Sequence, residues 1–314
     1  MSALAHGVSP SQPASGGASF TAPTSVDDVL AALGSGARAI AGGTDLVVGA
    51  RQGKWRLPDN LVAIDRVDAL RGIKGSGGGL RLGALASHNE ISSNSTIRER
   101  YTALADASAI VGSFSTRHVG TLGGNVVNAS PAAETSGPLL CLGATATLAS
   151  TSGSRQVPFD ELFTGPGRTV LRPDELLVAI DVPALPAGSG SCYARLEYRR
   201  QMEIAVVGAT AVVTLEGGRI TAAKVAITAL APTVRRIPEA EQALIGSDGG
   251  REAAEEAAKA AAAASRPIDD VRAPADYRRA MAAVIARRVI LAAVARARGE
   301  TVSIPASDAL HGAL

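Results

Sequence analysis

Cysteine is nearly absent from this chain: Cys141 and Cys192 are the only two in 314 residues. Two thiolates cannot hold an iron–sulfur cluster, which takes four, and they build no disulfide framework. The four histidines, His6, His88, His118 and His311, are scattered without zinc-ligand spacing, so metal chemistry would have to lie in another chain. Aromatic residues make up 3% of the chain, which leaves Ala, Val, Leu and Ile to build the core and few platforms for stacking nucleobases. Charge of one sign is lacking too: 31 basic and 29 acidic residues leave a net +2, against a dedicated nucleic-acid surface. So is a long apolar run. The longest helical apolar stretch, residues 281–297, is interrupted by Arg287, Arg288 and Arg296 and reads as an amphipathic helix with no membrane span. Residues 1–19 are rich in Ser, Pro, Gly and Ala without a charged start and apolar run, so a disordered tail and a cytoplasmic protein are expected.

What the chain has in quantity is glycine, 34 residues. The stretch 109–134 reads A-I-V-G-S-F-S-T-R-H-V-G-T-L-G-G-N-V-V-N-A-S-P-A-A-E, with Gly120, Gly123 and Gly124 within five positions. Glycine accepts φ > 0 and leaves no Cβ in a ligand's way. Successive N–H groups in such a turn make a concavity that favours anions, and Thr121 and Asn125 can add directed hydrogen bonds. Taken alone, the stretch fits a ligand-free glycine turn equally well. A second segment, R-A-I-A-G-G-T-D-L at 38–46, runs from a short apolar strand into Gly42-Gly43 and on to Leu46-Val47-Val48. Such a turn brings bare amides to a pyrophosphate. Two such loops about 80 residues apart suit a dinucleotide clasped from two sides better than a single phosphate.

The chain is long enough for two or three domains. Residues 20–65 alternate helix and strand as a small α/β unit, with Ser25 as a helix N-cap. Short alternating runs around Ser76-Gly77-Gly78-Gly79 read as a hairpin. Ser87 and Glu90 form a capping box, and residues 98–110 read as one helix entering the glycine stretch. Cys141, among leucines, reads as a core residue. Residues 184–190 form the best boundary, giving an expected tail at 1–19, one domain at 20–187 (parts 20–70 and 71–187) and a second at 191–300. The second domain reads as three antiparallel strands followed by three helices. Its sheet is expected to bury Val206, Val207, Val212 and Val213 under the last helix, whose Met281, Ile285, Val289, Ala292 and Ala293 recur at helical spacing, with Arg279, Arg287 and Arg288 facing outward.

The segments A-G-G-T-D-L at 41–46 and T-L-G-G-N at 121–125, followed by A-S-P-A-A-E at 129–134, closely resemble the FAD-binding middle subunit of molybdenum hydroxylases, the xanthine dehydrogenase and carbon monoxide dehydrogenase type. The resemblance spans residues 20–298 and implies an α+β fold: a two-part FAD-binding domain like the vanillyl-alcohol-oxidase flavin fold, then a smaller domain of a three-stranded antiparallel sheet with helices. It implies that Ile40, Ala41, Gly42, Gly43, Thr44, Asp45 and Leu46 wrap the FAD pyrophosphate, with Thr121, Gly123, Gly124 and Asn125 touching it from the other side. Val111 and Thr116 join the cofactor-binding set. Glu134 stands where relatives carry Asp toward the sugar portion, Leu177 matches a position lining the flavin, and Arg195 a basic position near the ring. Residues 199–204 match the loop over the isoalloxazine. No catalytic acid or base and no metal ligand is expected. The implied activity is that of an oxidoreductase subunit: electrons pass from a molybdenum cofactor in a large partner subunit, through [2Fe–2S] clusters in a small one, to FAD here and on to an outside acceptor. The assembly would be a heterotrimer or a dimer of heterotrimers, without nucleic acid or membrane span.

Two other readings compete. A free-standing FAD oxidase would need a base of its own and often a covalent flavin link, for which His118 lies in the right loop. A nucleotide-binding scaffold would keep the glycine loops without redox turnover. A standard Rossmann enzyme fits poorly, since Gly34-Ser35-Gly36 lacks the third glycine of its fingerprint.

Overall fold

The computed structural model describes residues 17–311. The first unit alternates strand and helix: β1 (Ser19–Thr21), α1 (Val26–Gly34), β2 (Arg38–Ile40), α2 (Leu46–Arg51) and β3 (Asn60–Ala63). Ser25 caps α1, its hydroxyl accepting from the Asp28 amide at 3.2 Å. The strands pair in parallel in the order β1-β3-β2, because each crosses back through a helix or long connection. Val29, Leu30, Leu33, Val62 and Ile64 form the small core beneath. The segment after Ile40 therefore leaves the carboxyl end of a parallel strand, the edge where open α/β sheets hold ligands. Of the tail expected over 1–19, residues 1–16 lie outside the described residues, and Ser19 already begins β1.

The second unit opens with a hairpin, β4 (Ile73–Ser76) and β5 (Gly79–Gly83), then α3 (His88–Ser93), α4 (Ser95–Arg100), α5 (Thr102–Ile110), α6 (Phe114–Val119), α7 (Leu122–Asn128) and α8 (Ser136–Cys141). It continues through β6 (Thr145–Ser150), β7 (Gly153–Pro158), α9 (Phe159–Leu162), the two-stranded β8 (Phe163–Gly165) and β9 (Arg168–Thr169), and β10 (Leu176–Val182). The sheet β4-β5-β10-β6-β7 is antiparallel. Ser87 and Glu90 form the reciprocal capping box at α3. The single helix read over 98–110 is two. Tyr101 leaves helical geometry at φ −121° and ψ 46°, because its ring is buried and its hydroxyl donates to the Pro183 carbonyl at 3.1 Å.

The third unit is an antiparallel sheet, β11 (Ser189–Leu196), β12 (Val207–Glu216), β13 (Arg219–Thr228) and β14 (Arg235–Arg236), with α10 (Pro238–Leu244), α11 (Arg251–Ala264), α12 (Ala275–Ala297) and α13 (Ala306–His311). The two-residue β14 extends the three strands read from sequence. Val206, Val207 and Val213 do pack on Ile285, Val289 and Ala293 of α12. Val212 does not: it joins Leu139 and Leu140 on the opposite face. Adjacent strand residues point to opposite sides, so Val212 and Val213 cannot share one. This sheet therefore has two covered faces. Helix α8 is buried against the second, all of its residues from Ser136 to Cys141 included. Helix α12 turns Arg279 outward to Asp276 and Arg287 to Glu255. It also turns two arginines inward. Arg278 donates to the carbonyls of Val206 (3.0 Å), Ile268 (2.9 Å) and Ala229, and Arg296 reaches α5. Among the described residues no helix is long and apolar enough to cross a membrane.

Candidate functional site

The segment between β2 and α2 is built for close approach. Ile40 is held by the Ile64 amide, which donates to its carbonyl at 3.0 Å. Gly43 sits at φ +67°. A Cβ on Gly42 would fall 1.9 Å from the Val119 carbonyl oxygen, so only glycine fits there. The 41–45 loop thus lies directly against residues 119–120. Thr44 is also near, its hydroxyl 3.8 Å from where a Gly120 Cβ would stand. Within the described residues the amides of Gly42, Gly43, Thr44 and Asp45 donate to no protein group, and Gly42 and Asp45 are exposed. Leu46 opens α2, whose first turn closes as Val47 donates to the Gly43 carbonyl at 2.9 Å.

The glycine stretch differs from the concavity read in the sequence. Gly120, Gly123 and Gly124 are not at positive φ; the last two lie in the first turn of α7. Thr121 is the N-cap, its hydroxyl accepting from Gly124 N at 3.1 Å, a contact that typically stabilises a helix by about 1 kcal/mol. The amides of Leu122 and Gly123 donate to the carbonyls of Ala86 and Ala84, both at 2.9 Å. Those amides anchor α7 to the chain leaving β5 and are not offered outward. Gly123 is needed for packing, since its Cβ would meet the Ala84 oxygen at 2.7 Å. Gly124 is exposed, with Thr121 Oγ1 alone near its missing Cβ. It is the bare spot on this wall. The free amides come from the 42–45 loop, and the α7 segment supplies a glycine face beside it.

Behind this wall lies a buried charge cluster. Thr135 donates to Asn125 Oδ1 at 2.6 Å. The adjacent Glu134 accepts from Arg195, which also donates to Glu197 and, at 3.3 Å, to the Glu203 carbonyl. The Arg195 side chain is 0% exposed. Burial raises the Glu134 carboxyl above its usual range, with Arg195 opposing the shift. Burial works against the Arg195 charge, but Glu134 and Glu197 outweigh it and hold the guanidinium firmly protonated. Nη2 of Arg195 has no protein partner. Glu197 was not singled out from sequence, although period-two alternation puts Tyr193, Arg195 and Glu197 on one strand face. Also unforeseen are His88 and Arg117. Arg117 donates to the Val111 carbonyl at 3.1 Å and to Asn89 Oδ1 at 3.3 Å. Burial, and then Arg117, lower the His88 pKa to about 4, so this imidazole beneath Gly120 is neutral. No residue-level signal marked either one.

The loop 197–204 folds back over residues 111–116. Met202, at φ +53°, donates its amide to the Gly112 carbonyl at 3.0 Å, and the Thr116 hydroxyl lies 3.6 Å from its sulfur. Val111 and Thr116 thereby join the 199–204 segment at one edge. Leu177 stands apart from the polar wall, on β10 at a bulge, with its side chain in the core. His118 is exposed, its Nδ1 2.6 Å from the Asn89 amide nitrogen and its ring against Phe114. Both cysteines are buried, and burial pushes both thiols up, against a nucleophilic role. Among the described residues no group of His, Cys, Asp and Glu could hold a metal ion.

Free amides on a strand-end loop, a glycine face beside them and a paired arginine behind have the donor chemistry that suits a phosphate-bearing dinucleotide. Residues 15–185 match the family described as the FAD binding domain in molybdopterin dehydrogenase, and residues 192–293 the CO dehydrogenase flavoprotein C-terminal domain; the chain belongs to this family. It is 32% identical to the carbon monoxide dehydrogenase medium chain of Hydrogenophaga pseudoflava, over 88% of this chain and 97% of that one. It is 34% identical to the 6-hydroxypseudooxynicotine dehydrogenase complex subunit alpha of Paenarthrobacter nicotinovorans, over 86% and 91%. Among solved structures, quinoline 2-oxidoreductase from Pseudomonas putida 86 matches with a TM-score of 0.83 and 31% identity, covering 89% of this chain and 97% of that one.

Proposed function

We propose that this chain is the FAD-carrying medium subunit of a molybdenum hydroxylase. It would take electrons from [2Fe–2S] clusters of a small partner subunit, loaded at the molybdenum cofactor of a large one, and pass them to an external acceptor. The observation that carries the binding site is the run of unpartnered amides at 42–45 held against the Val119–Gly120 backbone. FAD fits there: four free donors suit a pyrophosphate, and the exposed Gly124 leaves no side chain in its way. When bound, FAD supplies the redox chemistry itself. The protein's own groups bind and orient it: the loop amides, Thr44 and Asn125 at the phosphates, Glu134 toward the sugar, Arg195 as fixed positive charge near the ring, residues 199–204 as a cover. Both cysteines are free, which accords with a reducing cytoplasmic compartment.

The free-standing oxidase reading draws no support from the relatives, and the exposed His118 is engaged with Asn89 and Phe114. The test is the absorbance spectrum of the purified chain before and after denaturation and filtration. Released FAD is the expected result. Flavin retained on the protein would favour the covalent oxidase, and no flavin would leave a scaffold. Substrate-dependent flavin reduction by the isolated chain would overturn the subunit reading.

A further inference from the structure

Four buried polar atoms without a hydrogen-bond partner gather where the second unit meets the third sheet: Tyr193 Oη, Arg195 Nη2, Thr210 Oγ1 and Thr228 Oγ1. Strand register explains the grouping. Tyr193 pairs with Thr210, Arg195 with Gly208, and Gly208 with Thr228. All four polar residues therefore lie in two adjacent cross-strand rows on the face covered by α5 and α8, each essentially inaccessible to solvent. Ala103, Ala107 and Ile110 of α5 pack on the Tyr193 ring, and Ser136-Gly137 of α8 lie over the threonines. Two glycines let the backbone close on these groups. A Cβ on Gly137 would stand 2.7 Å from Thr210 Oγ1 and 2.9 Å from Thr228 Oγ1. A Cβ on Gly208 would stand 3.0 Å from Tyr193 Oη.

A hydroxyl taken out of water without a partner is destabilising, and buried polar groups in native proteins almost always find one, often an internal water with about three hydrogen bonds. Three hydroxyls and a guanidinium N–H, gathered where two glycines bring the backbone close, supply donors and acceptors for such water. None of these hydroxyls has another acceptor or donor within reach, and burial keeps the Tyr193 phenol protonated, so it can both donate and accept.

We propose that this junction is an internal hydration site, in which bound water links Tyr193, Thr210 and Thr228 to Nη2 of Arg195, making Tyr193 and the two threonines positioning residues for the guanidinium beside the cofactor. The hydration claim stands on this chain alone; the positioning claim rests on the FAD reading above.

The two claims are tested separately in the full chain. A high-resolution crystal structure should show water within hydrogen-bond distance of Tyr193 Oη and both threonine hydroxyls. Thermal unfolding adds a sign. If the junction is wet, Thr228→Val and Thr210→Val each lower Tm. If the junction is dry, the valines remove unpaired hydroxyls at almost no change in volume and raise Tm. A rise, or a junction without water density, overturns the hydration claim. For positioning, flavin-loaded Tyr193→Phe and Thr228→Val should retain stoichiometric flavin but shift its visible absorption bands and midpoint potential, with Thr228→Ser unshifted. Bands and potential identical to those of the parent chain overturn that role. A parent chain that binds no flavin refutes the FAD reading and positioning together, while the sign of the Tm change still decides hydration.

Discussion

Asp106 on α5 and Arg296 on α12 meet as a buried bidentate pair, 2.6 and 3.0 Å apart at their two contacts. Asp106 also accepts from the amides of Tyr193 at 3.1 Å and Ala306 at 2.9 Å, so one carboxylate ties the second unit to both ends of the third. Truncating one partner of such a pair leaves a buried charge uncompensated. Asp106→Ala should cost about 3–5 kcal/mol of unfolding free energy, and Asp106→Leu with Arg296→Met should still cost stability, because the Tyr193 and Ala306 amides lose their acceptor. Chemical denaturation measures both. A loss below about 1 kcal/mol for Asp106→Ala, the range of an exposed pair, would show that the contact does not hold the units together.

Gly42 and Gly124 should fail in different ways. Gly42→Ala drives a Cβ into the Val119 carbonyl, so the two loops must part and the chain should lose both stability and FAD. Gly124 is exposed, so Gly124→Val should stay folded by circular dichroism, with a small loss of stability as Thr121 Oγ1 clears the new Cβ, while flavin content falls. Full flavin content in a folded Gly124→Val chain would remove α7 from the site.

Arg195 holds Glu134 and Glu197 out of water. Arg195→Leu leaves two buried carboxylates facing each other and should destabilise by about 3–5 kcal/mol at neutral pH. With the arginine gone, desolvation is unopposed and raises the folded-state Glu134 carboxyl pKa further above its unfolded value. The folded variant thus binds protons more readily, and its stability improves as pH falls through that window. Urea midpoints at pH 7 and pH 5 should therefore converge with those of the parent chain on acidification. A deficit independent of pH would mean the carboxylates are not what the arginine compensates.

His88 makes the opposite linkage. Its folded pKa is lowered to about 4 from an ordinary value of 6.5, so between those values the unfolded chain binds a proton that the folded chain refuses. Stability is complete above pH 6.5 and falls as pH drops toward 4, by at most roughly 3 kcal/mol. His88→Phe should flatten that portion of the stability curve. Parallel curves for the two proteins between pH 6.5 and 4 would show that this histidine is not the buried neutral group.

Much of this protein could be read directly from local sequence. A-G-G-T-D-L at the end of a short apolar strand and T-L-G-G-N before an apolar run named the family, because backbone approach demands glycine and helix capping demands a hydroxyl at particular positions. The hairpin at 73–83 and the Ser87–Glu90 box depend on residues within a few positions of each other, so they too were legible.

The fold alone decided what each glycine does. Gly42 is required by Val119, 77 residues away, and Gly123 by Ala84, neither of which its own neighbours reveal. The free amides lie on the first loop only because the 84–86 chain occupies those of α7. Strand alternation is short-range, yet which face of the third sheet meets the second unit is not. That choice placed Val212, Tyr193 and Arg195 against α5 and α8 and brought Arg296 to Asp106. Sequence determines which groups a chain can offer to a ligand. Which of them remain unpaired and reachable depends on burial and hydrogen bonding between segments far apart in the chain, and only the packed structure settles that.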